Sequence, residues 1–491
     1  MIRKALPAVL LLSLGTLLAG VAQGADQPNF VLIFADDLGY GDLASYGHPS
    51  FRTPHLDRMA AEGARFTDFY VPMPYCGPSR ASILTGRYPF RHGVVGNPTP
   101  DNGINDYGLP ASEVTIAQVL KQQGYATTCI GKWHLGHIPE YLPIKRGFDS
   151  YFGILYSNDM RPVQLVEDDR VVEYPVVQGT LTKRYTERAL RFIESKPDEP
   201  FFLYLPHAMP HKPLAASEDF YTPDTPYDLY ADVIRELDWS VGQILAKLRE
   251  LDLDRKTLVV FTSDNGPSWG GSTGGLRGMK GRTWEGGIRV PFIAWWPGRI
   301  PAALVSDEVA ASIDIFPTFA SLAGAALPAD RPMDGRDIFA LMTSADARSP
   351  HEAIFAMVGG RLQIVRSGKW KLHVRSPGAP RGPANIQGYI DSSFNFRKPD
   401  GTTIIAPFEQ PHPTRHPGVL TGDARKDMML FDLEADPSEQ HDVADSHPDV
   451  VSRLKALFDE HDGDERPRPA AGFPGLRRVK GGNLRYDTIL P

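Results

Sequence analysis

Residues 29–37 read NFVLIFADD, an apolar run that ends in two adjacent aspartates. The run is short and rich in branched and aromatic side chains, which favours a buried strand. Three later runs share this character and predict further strands: 127–130, 201–205 (FFLYL) and 258–263 (LVVFTS). Amphipathic segments with helical spacing lie between these strands, at about 114–123, 182–194 and 228–251. The alternation predicts an α/β fold with a large, mostly parallel sheet sandwiched by helices.

The first 24 residues have the composition of a secretory signal peptide. Arg3 and Lys4 precede an apolar stretch, and the small residues Ala22 and Gly24 suit cleavage before Ala25. A membrane anchor is the alternative, although the stretch is barely long enough to span a bilayer. The chain has a net charge of −7 and contains no Asn-x-Ser/Thr sequon. We therefore expect an exported protein, periplasmic or extracellular and bacterial, with no nucleic-acid partner and no stable membrane anchor.

The sequence pattern changes near residue 349. Residues 361–374 (RLQIVRSGKWKLHV) predict an antiparallel hairpin. A long Pro- and Gly-rich stretch covers 376–416 and is followed by the strand-like MMLFDL and a helix near 448–460. These features predict a smaller α+β domain packed against the first. The chain thus divides into four predicted segments: signal peptide 1–24, catalytic domain 25–348, C-terminal α+β domain with an antiparallel sheet 349–465, and irregular tail 466–491.

Polar clusters follow all four predicted strands of the first domain. They are Asp36-Asp37, Gly131-Lys132-Trp133-His134, His207 to His211, and Asp264-Asn265-Gly266. Each cluster alone has an ordinary explanation, since Asp and Asn are common in turns and helix caps. In an open parallel sheet, however, ligands bind beyond the carboxyl ends of the strands. The four clusters together therefore predict one cleft lined by carboxylates, lysines and histidines.

The oxygen-bearing residues of this cleft indicate a hard cation. Asp36, Asp37, Asp264 and Asn265 supply carboxylate and amide oxygens, which suit calcium first and magnesium second. Softer metals would be expected to use histidine or thiolate ligands. Without a cation, the crowded carboxylates would repel one another and their pKa values would rise.

The most specific string is CGPSRASILTGR at 76–87. Pro78 suits the first turn of a helix, which places Cys76 just before a helix N-terminus, a position that favours negative charge. Arg80, one turn on, presents a planar fork to an oxyanion. Two alternatives remain open. One is a structural cysteine bridged to Cys129, and the other is a thiol nucleophile of the phosphatase type, although the Gly-rich cradle expected there is missing.

Together with several long strings, the CGPSR segment resembles the type I (formylglycine-dependent) sulfatase family of the alkaline-phosphatase superfamily. It matches the C-x-P-S-R signature that directs oxidation of cysteine to formylglycine (3-oxoalanine). The resemblance covers nearly the whole mature chain and is closest to the arylsulfatase A and N-acetylgalactosamine-6-sulfatase branch. The other matching strings are DDLGYGD at 36–42, TGRYPFRHG at 85–93, GKWHLG at 131–136, SDNG at 263–266, GLRGMKGRTWEGG at 275–287 and LFDLEADPSEQ at 430–440. It implies an alkaline-phosphatase-like fold and a sulfuric ester hydrolase of the arylsulfatase type.

The resemblance also implies a role for each matching position. The calcium ligands would be Asp36, Asp37, Asp264, Asn265 and the modified Cys76. The sulfate oxygens would be held by Arg80, Lys132 and Lys280.

The implied mechanism uses a hydrated formylglycine, one hydroxyl of which attacks sulfur. His211 would face the leaving-group oxygen and help the alcohol leave. His134 would then remove a proton from the second hydroxyl, so that sulfate is expelled and the aldehyde returns. Ser157 aligns with a family serine near the sulfate, and His207 lies close to the His211 pattern, so both are expected at the substrate.

The implied substrate is a small or oligosaccharide sulfate ester, with a sulfated carbohydrate slightly favoured over an aryl ester. A formylglycine-generating enzyme would be a partner during maturation. Specificity is expected in four loops, at 97–107, 158–161, 269–275 and 376–416. Two alternatives stay open: a phosphonate monoester hydrolase or phosphatase on the same scaffold, and an inactive carbohydrate-binding sulfatase-like protein.

Overall fold

The computed structural model describes residues 27–100, 107–160, 163–222, 229–379, 415–416 and 418–462. The predicted signal peptide, the predicted tail and most of the 376–416 stretch lie outside these residues. Within the described ranges, no helix combines the length and the apolar character needed to cross a bilayer.

The strands are numbered in chain order: β1 (Asn29–Ala35), β2 (Ala64–Phe66), β3 (Phe69–Tyr70), β4 (Ala126–Lys132), β5 (Ser150–Ile154), β6 (Leu165–Glu167), β7 (Arg170–Glu173), β8 (Phe201–Pro206), β9 (Thr257–Ser263), β10 (Phe292–Trp295), β11 (Leu304–Ser306), β12 (Ala310–Ala311), β13 (Ile354–Val358), β14 (Arg361–Ser367), β15 (Trp370–His373) and β16 (Met429–Asp432). The α-helices are α1 (Pro54–Glu62), α2 (Cys76–Thr85), α3 (Pro89–His92), α4 (Ile116–Gln122), α5 (Leu181–Glu194), α6 (Leu229–Glu250), α7 (Glu285–Ile288), α8 (Ile315–Leu322), α9 (Phe339–Thr343) and α10 (Pro448–Asp462). Short 3-10 helices lie at Ala44–Tyr46, Pro139–Tyr141, Pro143–Lys145, Gln178–Thr180, Asp254–Lys256, Ser312–Asp314 and Ala444–Ser446.

The large sheet contains ten of the described strands, in the order β11-β2-β10-β9-β1-β8-β4-β5-β6-β7. The central strands from β9 to β5 all run parallel to one another. Antiparallel pairs flank them, because β10 runs against β9 and β6 runs against β5. The predicted large, mostly parallel, mixed sheet is therefore confirmed.

Helices cover both faces of this sheet because its central strands are apolar on both sides. Along β1, Phe30 and Phe34 pack into one hydrophobic cluster with residues of α2, α4 and α8. The alternate residues Val31 and Ile33 pack into a second cluster with residues of α1, α5 and α6. The period-2 alternation of strand side chains thus divides one apolar run between two cores.

Strands β13 to β16 form a separate antiparallel sheet in chain order, which confirms the predicted C-terminal antiparallel sheet. This sheet shares a core with the large one, since Phe355 and Ile364 belong to the same hydrophobic cluster as Phe30. Backbone hydrogen bonds also join the two parts: the amide of Met357 donates to the Pro72 carbonyl at 2.9 Å. The predicted domain boundaries remain predictions.

Two local expectations are corrected. The helix expected at 114–123 spans only Ile116–Gln122, because Thr115 caps it: Thr115 Oγ1 accepts from the Gln118 amide at 3.2 Å, and Gln118 Oε1 accepts from the Thr115 amide at 2.9 Å. The bridge considered between Cys76 and Cys129 is wrong, since both cysteines are free and buried. Cys129 lies within β4, whereas Cys76 begins α2 beyond the sheet edge.

Candidate active site

Cys76 begins α2 at a sharp change in backbone conformation. Tyr75 is extended, with φ −145° and ψ 144°, and helical residues start at Cys76. Two residues later, Pro78 fits the first turn because its φ is already helical. The Gly77 amide donates to Asn97 Oδ1 at 2.9 Å, which ties the helix start to a neighbouring loop. The Cys76 side chain is fully buried at this junction.

Charged groups surround the Cys76 sulfur. Three of their atoms lie close to Sγ: Asp36 Oδ1 at 3.3 Å, Asp37 Oδ1 at 3.8 Å and Lys280 Nζ at 3.2 Å. Burial, with the negative charges of Asp264 and Asp36, raises the pKa of Cys76 well above its usual value. A thiolate is therefore disfavoured in this arrangement, which argues against the thiol-nucleophile alternative.

Neighbouring strands β1 and β9 bring the acidic residues together. Their register pairs Ala35 with Ser263, so the residues that follow each strand leave the sheet side by side. Asp37 adopts a left-handed conformation (φ 65°), which Asp tolerates better than most residues. Its amide donates to Asp264 Oδ1 at 3.0 Å. Parallel pairing thus converts two motifs more than two hundred positions apart into one cluster.

The side-chain amide of Asn265 is oriented by two hydrogen bonds. Its Nδ2 donates to Asp37 Oδ1 at 2.7 Å and to the Gly266 carbonyl at 2.9 Å. Its Oδ1 is buried and has no hydrogen-bond partner among the described residues. A buried acceptor without a partner costs free energy, so this oxygen is suited to binding a cation or a hydrogen-bond donor.

The cluster contains side chains that could hold a metal ion. Ligand atoms of Asp36, Asp37, Cys76 and His211 all lie within 4.8 Å of one another. Burial and the negative charge of Asp36 raise the pKa of Asp264 to about 7, a cost that a bound cation would remove. Carboxylate oxygens with one unpartnered amide oxygen are typical calcium or magnesium ligands. The residues present therefore fit a metal site.

Arg80 and Lys132 place two buried cations against these carboxylates. Arg80 donates from Nε and Nη2 to Asp264 Oδ2 at 3.1 and 2.9 Å, and from Nη1 to the Lys132 carbonyl at 2.7 Å. Lys132, the last residue of β4, contacts Asp36 through Nζ and donates to Ser157 Oγ at 3.1 Å. Burial opposes ionisation of Asp36, but Lys132 leads the positive charges that hold its pKa well below the usual value.

Neighbouring carbonyls and Asn158 hold His211 in one orientation. Its Nδ1 lies 2.6 Å from the Lys212 carbonyl and 3.0 Å from Asn158 Oδ1. Asn158 Nδ2 donates to the carbonyls of Pro213 and His211 at 3.0 and 3.3 Å, so its oxygen faces the ring. Both of these neighbours only accept, which assigns a proton to Nδ1. His211 Nε2 therefore faces the cluster, 3.7 Å from Asp37 Oδ2.

Sequence reasoning placed Asn158 only in a specificity loop and missed its contact with His211. The sequence signal for this contact was the position of Asn158 next to the predicted site residue Ser157. In the structure, Ser157 Oγ lies 3.3 Å from His211 Nδ1. Burial and the charge of Lys280 lower the pKa of His211. Ser157 Oγ accepts from Lys132 Nζ at 3.1 Å and lies beside the His211 ring, so Ser157 borders the cluster; its role toward a substrate stays a prediction.

One ring nitrogen of His134 forms a hydrogen bond, and the other has no hydrogen-bond partner among the described residues. His134 adopts a left-handed conformation (φ 62°), and its Nε2 lies 3.1 Å from the Pro98 carbonyl, which can only accept. The proton is therefore on Nε2, and the buried Nδ1 has no hydrogen-bond partner in the described ranges. Burial, followed by the charges of Lys132 and Arg80, holds the pKa of His134 well below its usual value.

His207 is not brought to the cluster. Its Nε2 lies 3.3 Å from Ser240 Oγ on α6, and its ring packs near the Tyr185 ring on α5. Lys280, by contrast, completes the cluster: its Nζ lies 2.8 Å from Asp37 Oδ2. Lys280 and His211 are 8% and 9% exposed, whereas the carboxylates are at most 2% exposed. These two side chains therefore mark the open side of the site.

A family model described as Sulfatase matches residues 28–325. The chain belongs to the sulfatase family. The matched range contains all the residues of the cluster, from Asp36 to Lys280. The predicted family is therefore confirmed, and this sulfatase is a sulfuric ester hydrolase.

Two mammalian relatives support the predicted branch. The sulfatase is 37% identical over 487 residues to N-acetylgalactosamine-6-sulfatase of Mus musculus, covering 92% of this chain and 89% of the relative. It is 37% identical over 492 residues to arylsulfatase A of Homo sapiens, covering 92% and 90%.

Solved structures agree with the fold. PsFucS1 sulfatase from Pseudoalteromonas sp. superposes with a TM-score of 0.75 and 26% identity, covering 90% of this chain and 91% of that one. Ps i-CgsB in complex with k-i-k-neocarrahexaose gives a TM-score of 0.73 and 28% identity, covering 90% and 94%. The phosphonate monoester hydrolase of Agrobacterium radiobacter, at 18% identity and a TM-score of 0.60 over 89% of this chain and 96% of that one, shares the fold alone.

Proposed function

We propose that this sulfatase hydrolyses sulfate esters with a formylglycine made from Cys76 and one bound calcium ion. The observation that carries the proposal is the position of Cys76, at a helix start, with Asp36 and Lys280 both within 3.3 Å of its Sγ. A formylglycine at this position supplies a hydroxyl nucleophile among groups that polarise it and bind an anion.

Calcium is the first choice of metal and magnesium the second. The ligands would be Asp36, Asp37, Asp264, Asn265 and the modified Cys76. When bound, the ion supplies positive charge for the carboxylates and for the oxygens of the sulfate ester. Asn265 Oδ1, which has no hydrogen-bond partner among the described residues, supports this assignment because its lone pair is available to a cation.

The chain's own residues divide the remaining work. Lys132 and Lys280 flank the cluster and would bind the non-bridging sulfate oxygens, while Arg80 holds Asp264 and the end of β4 in place as well as adding charge. His211 Nε2 lies at the open side, 3.7 Å from Asp37 Oδ2, whose negative charge opposes the lowering of the His211 pKa. When the ring is protonated, this nitrogen would donate to the leaving oxygen. His134 Nδ1, buried without a partner, would accept a proton from the residue 76 side chain.

A sulfated carbohydrate is the favoured substrate, ahead of an aryl ester. One relative is named N-acetylgalactosamine-6-sulfatase, and one similar solved structure, that of Ps i-CgsB, is a complex with k-i-k-neocarrahexaose. Specificity would come from the loops at 97–107, 158–161, 269–275 and 376–416, part of which lies outside the described residues. We further propose export to the periplasm or cell exterior, and maturation by a formylglycine-generating enzyme.

Mass spectrometry of residue 76 tests the proposal directly. Tryptic peptide 66–80, from protein made in its native host, is expected about 18 Da lighter than the thiol form. Activity is expected to favour sulfate esters over matched phosphate and phosphonate esters. A thiol that persists beside an active formylglycine-generating enzyme, or a preference for phosphonates, would overturn the proposal.

Replacing Asn158 by alanine should weaken the role of His211 as proton donor. Loss of the Asn158 oxygen removes one of the two acceptors at Nδ1 and leaves the ring held less firmly by the Lys212 carbonyl, so kcat is expected to fall about tenfold on alkyl sulfates with poor leaving groups. On 4-nitrophenyl sulfate, whose leaving group needs little protonation, the decrease should be less than about threefold.

The matched control is Gln178→Ala. Gln178 does not contact His211, although its Nε2 donates to the Asn158 carbonyl at 2.7 Å and its Oε1 accepts from Asn158 Nδ2 at 3.2 Å. In this variant Asn158 Nδ2 keeps its bonds to the carbonyls of His211 and Pro213, so the Asn158 oxygen still faces the His211 ring. The variant should affect both substrates equally and slightly. An equal loss on both substrates for Asn158→Ala would contradict the assigned role of His211.

A further inference from the structure

The segment 277–285, which we name the Lys280 loop, is bound at both ends by one residue of the C-terminal part of the chain. At one end, Arg277 Nη1 donates to the Glu439 carbonyl at 2.7 Å. At the other end, the Glu285 amide donates to Glu439 Oε2 at 2.6 Å. Glu439 belongs to the LFDLEADPSEQ string, to which the proposed chemistry assigns no role.

Glu439 is fully buried and adopts a left-handed conformation (φ 54°). Its Oε1 lies 2.9 Å from Lys371 Nζ and 2.6 Å from His373 Nε2, both on β15. Burial favours the neutral acid, but the charges of Lys371 and His373 lower the pKa of Glu439 to about 2. Glu439 is therefore an anion that links the C-terminal sheet to the Lys280 loop.

Further contacts press the loop against the same sheet. The Arg277 guanidinium stacks on Trp284, 3.8 Å from the ring centroid, and Trp284 packs in a hydrophobic cluster with Met429 and Phe431 of β16. Glu285 Oε1 also pairs with Lys371 Nζ at 2.9 Å. Charged and aromatic contacts from the C-terminal sheet thus hold the outer side of the loop in place.

The inner side of the loop faces the active site. The Gly281 amide donates to the Pro74 carbonyl at 3.0 Å, two residues before Cys76. Lys280 Nζ then lies 3.2 Å from Cys76 Sγ. Gly278 and Gly281 flank Lys280 with φ of 74° and 86°, so the backbone on either side has a conformation that L side chains rarely adopt. The Lys280 amide also donates to the Pro267 carbonyl at 3.0 Å, so these two backbone bonds hold the middle of the loop and Glu439 holds its two ends.

Stability alone is a weak reason for this network. Buried ion pairs cost desolvation, and apolar residues of similar volume often stabilise a fold as well or better. A charged network does, however, impose directional bonds that an apolar contact lacks. Glu439 makes such bonds to both ends of one short loop.

We propose that Glu439 is a positioning residue that holds Lys280 against Cys76, so that the C-terminal sheet completes the active site. This inference rests on the proposed function, in which Lys280 binds a sulfate oxygen. Glu439 itself touches neither the substrate nor the reacting atoms, and its effect passes through the loop.

A double-mutant cycle tests the coupling. Glu439→Ala is expected to lower kcat about 10- to 100-fold in the wild-type background, because Lys280 loses its fixed position. In the Lys280→Ala background the same substitution should lower kcat less than about threefold, because its target is already gone. Equal factors in the two backgrounds would overturn the proposal.

Two further variants separate positioning from stability. Glu439→Gln keeps an oxygen that accepts from the Glu285 amide, so it should recover a large part of kcat. If the alanine variant does not fold, Glu439→Met takes its place in the cycle, because methionine has a similar volume and cannot accept from the Glu285 amide. Asp462→Asn is the matched control, because Asp462 pairs with Arg375 at 2.6 Å in the same part of the chain and makes no described contact with the Lys280 loop. Its kcat should stay within about twofold of the wild type. A loss as large as that of Glu439→Ala would identify a general effect of destabilising the C-terminal part, and would overturn the proposal.

Crystal structures of the wild type and the most impaired Glu439 variant decide the question independently of turnover. Lys280 Nζ should lie farther from residue 76 in the variant, and an unchanged position would overturn the proposal. A wild type that contains no formylglycine or does not cleave sulfate esters would overturn the proposed function instead, while the crystallographic comparison would still decide the role of Glu439.

Discussion

Cys76→Ala is expected to lower kcat/KM for sulfate esters by about 10⁴-fold or more, the largest loss of any single substitution in this chain. Alanine cannot be converted to formylglycine, so the nucleophile is lost while Lys132, Lys280 and the carboxylates remain. Residual turnover would reflect binding and charge stabilisation alone. The measurement is kcat/KM on 4-nitrophenyl sulfate, with circular dichroism to verify folding.

Cys129→Ala is the matched control for this result. Both cysteines are fully buried, but Cys129 lies inside β4 rather than at the helix start that places Cys76 among the carboxylates. We expect a loss of stability of about 1–2 kcal/mol from the small cavity, with kcat/KM within a few-fold of wild type. If Cys76→Ala kept a tenth of the activity, residue 76 would not supply the nucleophile.

Asp264→Asn is expected to abolish calcium binding and to lower kcat/KM about 10³-fold. Asp264 supplies one of the clustered carboxylates, and its Oδ2 also accepts two hydrogen bonds from Arg80. An amide removes the negative charge, and its NH2 group cannot accept from the guanidinium. The metal therefore loses a ligand and Arg80 loses its anionic partner. Metal content by mass spectrometry and activity across a calcium titration measure both effects.

Asp238→Asn provides the comparison for Asp264→Asn. Asp238 is also a buried carboxylate, but it accepts from the amides of His55 and Leu56 at the start of α1. The amide oxygen of asparagine can accept both bonds, so calcium content and kcat/KM should stay near wild type. Full calcium occupancy in Asp264→Asn would rule out Asp264 as a ligand.

Much of the site was predictable because its residues follow the strands directly. The apolar runs at 29–35 and 258–263 predict buried strands, and polar residues after parallel strands meet at one sheet edge. The structure pairs these two strands directly. Asp36, Lys132, Asp264 and the other residues of the cluster were found from this rule together with the family resemblance. His207 was the exception: it follows a strand as the others do, yet its contacts lie with Ser240 and Tyr185.

The sequence by itself determined four central strands, the two-sided sheet and the chemistry of the strand ends, because residue periodicity is a local property of the chain. Only the tertiary structure decided which atoms meet. It left Asn265 Oδ1 without a partner, turned the Asn158 oxygen toward His211, kept the two cysteines apart, and placed Glu439 at both ends of the Lys280 loop. These contacts join residues separated by tens to hundreds of positions, and their geometry depends on the packing of whole elements rather than on any local pattern.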